Sequence, residues 1–248
     1  MTESSLSLTT RKQTPKPTGW LGWALISETV SLPAHKTAFI VVDMWDSHWS
    51  RGAVERVGIL APRMNKVIHS MREQGVQIVH APSDVVNFYE GYEARRWVAA
   101  LPQISPPSSA DHPDPPLPID DSDGGSDTGE TETYKAWSRQ HPAIEIKSED
   151  AISADGLEIY NILAHKQLEN IIFAGVHTNM CVLNRPFAIK QMVRWGFNVI
   201  LARDLTDAMY NPLMPPYVSH DEGTQLVIQY IEKFWCPTIT SDDLTRPR

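Results

Sequence analysis

The strongest constraint on the fold of this chain is a recurring unit: a short unbroken apolar run, a stretch of helical period, then another apolar run. Ala38-Phe39-Ile40-Val41-Val42 is continuous, rich in β-branched residues, and stops at Asp43. Such a run reads as a strand buried on both faces. Leu60, Met64, Val67 and Met71 follow at helical spacing, with Gly75 as the stop. Residues 76–80 form a second strand ending at His80, and 89–100 a short helix carrying Arg95, Arg96 and Trp97. Ala143-Ile144-Glu145-Ile146 reads as a strand ending at Lys147, and 155–167 as a helix. Ile171-Ile172-Phe173-Ala174 is a strand running into Gly175. A helix opens near Cys181 and stops at Gly196, a strand covers 198–202, and a last helix covers 221–234.

Strands alternating with helices predict βαβ units, and right-handed crossovers make the sheet parallel. The expected class is α/β: a doubly wound, mainly parallel sheet with helices on both faces, in three layers. One domain is expected over 1–248, with an N-terminal arm at 1–30 whose first 18 polar residues are loosely held. Residues 101–132 interrupt the pattern. They hold seven of the 19 prolines and eight acids, with no Lys or Arg. Such an insertion is a lid, an interface arm or disordered.

Composition excludes some partners. The formal net charge is −8 and no Lys/Arg run exceeds two residues, so no phosphate backbone is expected as a ligand. No apolar stretch approaches the roughly 20 residues that span a bilayer. The short segment Trp20-Leu21-Gly22-Trp23-Ala24-Leu25-Ile26 starts too late for a secretory leader. Two cysteines, Cys181 and Cys236, read as free thiols in a reducing, cytoplasmic setting.

In parallel α/β sheets, sites form beyond the carboxyl ends of strands. That rule selects Asp43, His80, Lys147, the 175–181 segment and Asp204. Cys181 opens a helix shortly after a strand, and the amides and partial charge of a helix N-terminus favour a thiolate, so its pKa is expected to fall. The same amides suit an oxyanion. A carboxylate nearby can take the thiol proton, and a lysine favours the anionic forms of both. Singly these signals are weak, and a lone cysteine at such a place is more often structural.

Together, Ile40-Val41-Val42-Asp43-Met44, Lys147 at a strand end, and Gly175-Val176-His177-Thr178-Asn179-Met180-Cys181-Val182 resemble the isochorismatase-like cysteine hydrolases, over roughly residues 37–208. That family includes nicotinamidases and N-carbamoylsarcosine amidase. The resemblance implies a catalytic triad of Asp43, Lys147 and Cys181. Asp43 is the base, Cys181 the nucleophile that forms a thioester, and Lys147 orients Asp43. It implies a cis peptide at Val176-His177, and an oxyanion hole from the backbone N–H groups of His177 and Cys181. It also implies a small amide, ureide or N-carbamoyl substrate, no cofactor, and a homodimer or homotetramer.

The chain departs from the family around Asp43. Trp45 stands where a Gln is common, and His80-Ala81-Pro82-Ser83-Asp84 does not match the metal-binding motif of nicotinamidases. No metal is therefore expected. The only grouping that suggests one is Asp46, His48, His80 and Asp84, for which pocket-shaping hydrogen bonds are the plainer reading. Trp45, His48, Trp49 and Asn179 are candidates for substrate contact, with packing an equal reading for the aromatics. Arg95 and Arg96 read as a solvated helix face, and Cys236 as packing. Other readings stay open: an isochorismatase proper that cleaves a vinyl ether by acid catalysis, a non-catalytic small-molecule-binding protein on the same fold, or a redox sensor. Retention of all three reactive positions favours the carbon–nitrogen hydrolase.

Overall fold

The computed structural model describes residues 4–17 and 21–245. Strands β1 (Ser5–Pro15) and β2 (Trp23–Pro33) form a hairpin. Then come β3 (Thr37–Val42), α1 (Arg51–Glu73), β4 (Gln77–Ala81), α2 (Glu93–Ala99), β5 (Ala151–Ile152) and α3 (Gly156–His165). The second half holds β6 (Asn170–Val176), α4 (Cys181–Asn184), α5 (Ile189–Arg194), β7 (Asn198–Asp207), α6 (His220–Phe234), β8 (Thr238–Ile239) and α7 (Ser241–Thr245). The sheet has eight strands in the order β2-β1-β8-β7-β6-β3-β4-β5. Every pairing from β8 through β5 is parallel, and only β1, antiparallel to both β2 and β8, runs against the rest.

The unbroken apolar strands follow from burial on both faces. Along β3, Ala38, Ile40 and Val42 pack with α3, α5 and α6 residues such as Ile159, Met192 and Val227. Phe39 and Val41 point the other way, to Val57, Leu60, Met64 and Ile68 of α1. Period-2 alternation survives, but both faces are apolar. The helix starts are written locally. Asp155 caps α3 by accepting from the N–H groups of Leu157 and Glu158, and Ser219 and Glu222 form a capping box on α6. Cys236 is buried in the core beside α6, and burial pushes its thiol up.

Four expectations are corrected. The N-terminal arm is a two-stranded extension of the sheet: β1 pairs with β8, Leu6 and Leu8 are buried, and Arg11 and Gln13 both bond Glu232. Of the 20–26 segment, Trp20 lies outside the described residues, and Trp23 to Ile26 belong to β2. Residues 143–146 are irregular, and the edge strand is β5, a few residues later. The stretch 181–196 is two short helices. Arg185 is extended at ψ 154° because Pro186 excludes the helical conformation from the residue before it. Finally, β7 runs on to Asp207, so Asp204 lies within the strand, paired with Arg63 and Ser241. Among the described residues no helix is long and apolar enough to cross a membrane.

Candidate active site

β3 and β6 are adjacent and parallel, with Val42 opposite Gly175, so the chain beyond each reaches the same end of the sheet. A Cβ on Gly175 would lie 2.0 Å from the carbonyl oxygen of Val42, and its φ of 121° is open to glycine. That close approach carries the two following turns together. Asp43 is held at φ 46° by two backbone bonds, its N–H to Ala81 O and its own carbonyl accepting from Trp45. On the β6 side the Val176–His177 peptide is cis, as the resemblance implies. The His177 carbonyl accepts from the N–H groups of Met180 and Val182, and the Asn184 amide donates to the carbonyls of Asn179 and Met180. This knot presents Cys181.

The structure brings Asp43 and Cys181 into contact. Asp43 is fully buried, and its carboxylate accepts from Ser83 N at 2.7 Å and from Arg185 Nε at 3.2 Å, with the Cys181 thiol beside it. Burial raises the Asp43 carboxyl, against the lowering influence of Arg185, the thiol and Ser83. The thiol is pushed up to about 12, chiefly by burial and next by the Asp43 charge, while Arg185 and the His177 backbone N–H oppose the rise. The expected low thiol pKa is therefore overturned. α4 is four residues long and ends at Asn184, too short to present much of a dipole, and the Asp43 carboxyl group stands beside the thiol. At rest the thiol is neutral and faces the Asp43 carboxyl group.

Lys147 is not brought to this pair. Its ammonium binds Glu145 at 2.5 Å, and Glu145 also meets His69 of α1 at 2.8 Å. The cation beside Asp43 is Arg185, whose Nη2 also lies 3.5 Å from Asp84. The sequence signal for it was the Arg185-Pro186 pair one turn past the cysteine.

An aromatic wall stands on the Asp43 side. Trp45 donates to Ser83 O and stacks on Trp137 at 4.3 Å. His48 stacks on Trp137 at 5.6 Å, and its edge meets the His177 ring at 5.1 Å. Trp49 packs on His48 and borders Gly124 of the insertion. Burial pushes His48 down to about 4 and, with His48 beside it, His177 to about 3, so both rings are neutral near pH 7. The His177 Nε2 and Trp137 Nε1 atoms are buried without partners among the described residues. On the other side an open groove of about 580 Å³ runs past Cys181, Arg185, Asn179, Asp121 and Leu117.

Asn179 is committed internally: its amide donates to Asp121 Oδ2 and Met209 O and accepts from Met209 N. The Asp46/His48/His80/Asp84 grouping does not assemble. Asp46 accepts from the N–H and hydroxyl of Ser138, His80 lies between Gln140 and Asp150, His48 accepts from Ser50 N, and Asp84 faces Arg185. No cluster of three or more potential metal ligands occurs among the described residues. Arg95 is paired with Glu158, and Arg96 bonds Gly91 O.

Asp207, the true end of β7, was not singled out in the sequence. Its backbone carbonyl accepts from Thr178 N, and its carboxylate bonds Arg56 and His220. Arg56 in turn grips Asp127 of the insertion with both Nη groups. This buried network backs the cysteine turn.

Comparison with known proteins agrees with this architecture. The family model described as the isochorismatase domain matches residues 37–241. A cysteine hydrolase from Pseudomonas syringae superposes with a TM-score of 0.58 at 18% identity, covering 87% of this chain and 93% of that one. A putative isochorismatase from Burkholderia xenovorans superposes with a TM-score of 0.52 at 16% identity, covering 85% and 86%. Both likenesses concern the fold alone. No curated protein sequence matches the chain.

Proposed function

The chain belongs to the isochorismatase family, whose members are hydrolases, amidases among them, and from that premise we propose that it is a cysteine-dependent hydrolase of a carbon–nitrogen bond in a small amide, ureide or N-carbamoyl compound. The observation that carries this reading is the placement of the Cys181 thiol beside the buried carboxyl group of Asp43, close enough for each side chain to act on the other.

Asp43 takes the thiol proton as the sulfur attacks the substrate carbonyl. The carbonyl oxygen becomes an oxyanion received by backbone N–H groups of the cysteine turn, that of His177 among them. Asp43 then gives the proton to the departing nitrogen, the C–N bond breaks, and a thioester remains on Cys181. Water attacks the thioester as Asp43 takes one of its protons. Collapse releases the acid and returns the proton to sulfur. Because the thiol is neutral at rest, proton transfer accompanies attack rather than preceding it.

The test is ammonia or amine release from a panel of primary amides, ureides and N-carbamoyl compounds, with mass spectrometry of the intact protein. A substrate-derived adduct on Cys181, absent from Cys181→Ala along with turnover, is the expected result. Undiminished turnover in Cys181→Ala overturns the reading.

A further inference from the structure

Lys147 and Arg185 offer two candidates for the cation that serves Asp43, and the geometry separates them. A fully buried carboxylate needs a counter-charge or it takes up a proton. The Asp43 carboxylate has its ion pair with Arg185, whereas the Lys147 ammonium is bound to Glu145. The guanidinium is well placed by local sequence. Arg185 N–H donates to the Cys181 carbonyl at 3.2 Å, so both residues ride on one turn. Pro186 then ends that turn and extends Arg185, and Gly156 provides the space, since a Cβ there would lie 2.6 Å from Pro186 O.

We propose that Arg185, in place of Lys147, is the positioning residue that keeps Asp43 ionised and aimed at the Cys181 thiol. The inference rests on the reading of Cys181 and Asp43 as nucleophile and base. Asp43 and Cys181 share one proton and, between them, one negative charge. Proton transfer moves that charge from carboxylate to sulfur, and Arg185 is close enough to feel both. One fixed cation thus balances the pair before and after the step. A guanidinium stays protonated over the whole working pH range, which a lysine in a buried site does not. Its second prong, toward Asp84, holds the planar fork in register with Asp43.

The experiment is the pH dependence of Cys181 alkylation by iodoacetamide, read by mass spectrometry on the full chain. It needs no substrate. Arg185→Gln slows alkylation about tenfold throughout the neutral range, because both acids lose a stabilising cation. Arg185→Lys falls between Arg185→Gln and the parent, since one ammonium cannot serve Asp43 and Asp84 together. Lys147→Ala follows the parent profile. A parent-like profile in Arg185→Gln, or a shifted one in Lys147→Ala, overturns the assignment. If Arg185→Gln does not fold, a parent-like profile in Arg185→Lys does so. Failure of the hydrolase reading is seen separately, as turnover that survives Cys181→Ala.

Discussion

Asn179 donates from its amide to Asp121 Oδ2 at 2.7 Å, tying the proline-rich insertion to the turn that carries Cys181. The same amide closes on both backbone groups of Met209, beyond β7. A residue expected to touch substrate lines the groove and also welds three segments around it. Removing one partner of a buried hydrogen bond leaves the other unpaired, at about 1–3 kcal/mol each. Asn179→Ala is therefore expected to lower unfolding free energy by about 3 kcal/mol in urea denaturation, and Asp121→Ala to speed proteolytic cleavage within 101–132.

Gly175 admits no side chain. At φ 121° and 2.0 Å from Val42 O, an added Cβ meets backbone, which cannot move aside without separating β3 from β6. Gly175→Ala is expected to destabilise by at least about 3 kcal/mol. The loss of activity should exceed the loss of folded protein seen by circular dichroism, because the clash lies between Asp43 and Cys181.

The pH profile follows from Asp43. Burial raises its carboxyl, and a base works only when ionised. Activity is therefore full above the raised value and falls as pH drops through it. The acid limb of kcat/KM should lie above about 3.9, the ordinary aspartate value. Asp43→Asn should lower kcat by a factor of about 100 or more and remove that limb, while leaving the melting temperature no lower than the parent's.

His220 contributes a pH-dependent share of stability. Burial works against its charge, but the bond to Asp207 and that carboxylate's field raise its pKa. A raised folded pKa means that its contribution is fully present below the unfolded value near 6.5 and is lost as pH rises through the folded one. The melting-temperature gap between parent and His220→Gln should shrink on going from about pH 6 to pH 9. A gap independent of pH contradicts the charge-pair account.

The main strands and helices were legible because each is specified within its own few residues. The β3 and β6 runs and the caps at Asp155 and Ser219 needed no distant partner. The hairpin β1–β2 escaped notice because polar outward residues hide its alternation. β5 was misplaced since two residues carry no periodicity.

The sequence by itself determined that Asp43 and Cys181 stand beyond the carboxyl ends of two strands, because unbroken apolar runs and βαβ chirality leave little freedom there. It did not determine the proton's resting place or the identity of the cation. Burial and neighbouring charge keep the thiol protonated, and both are properties of the packed site. The cation beside Asp43 comes from 142 positions away along the chain. Lysine and arginine look equally available in a sequence; only the folded chain gives Lys147 to Glu145 and Arg185 to Asp43.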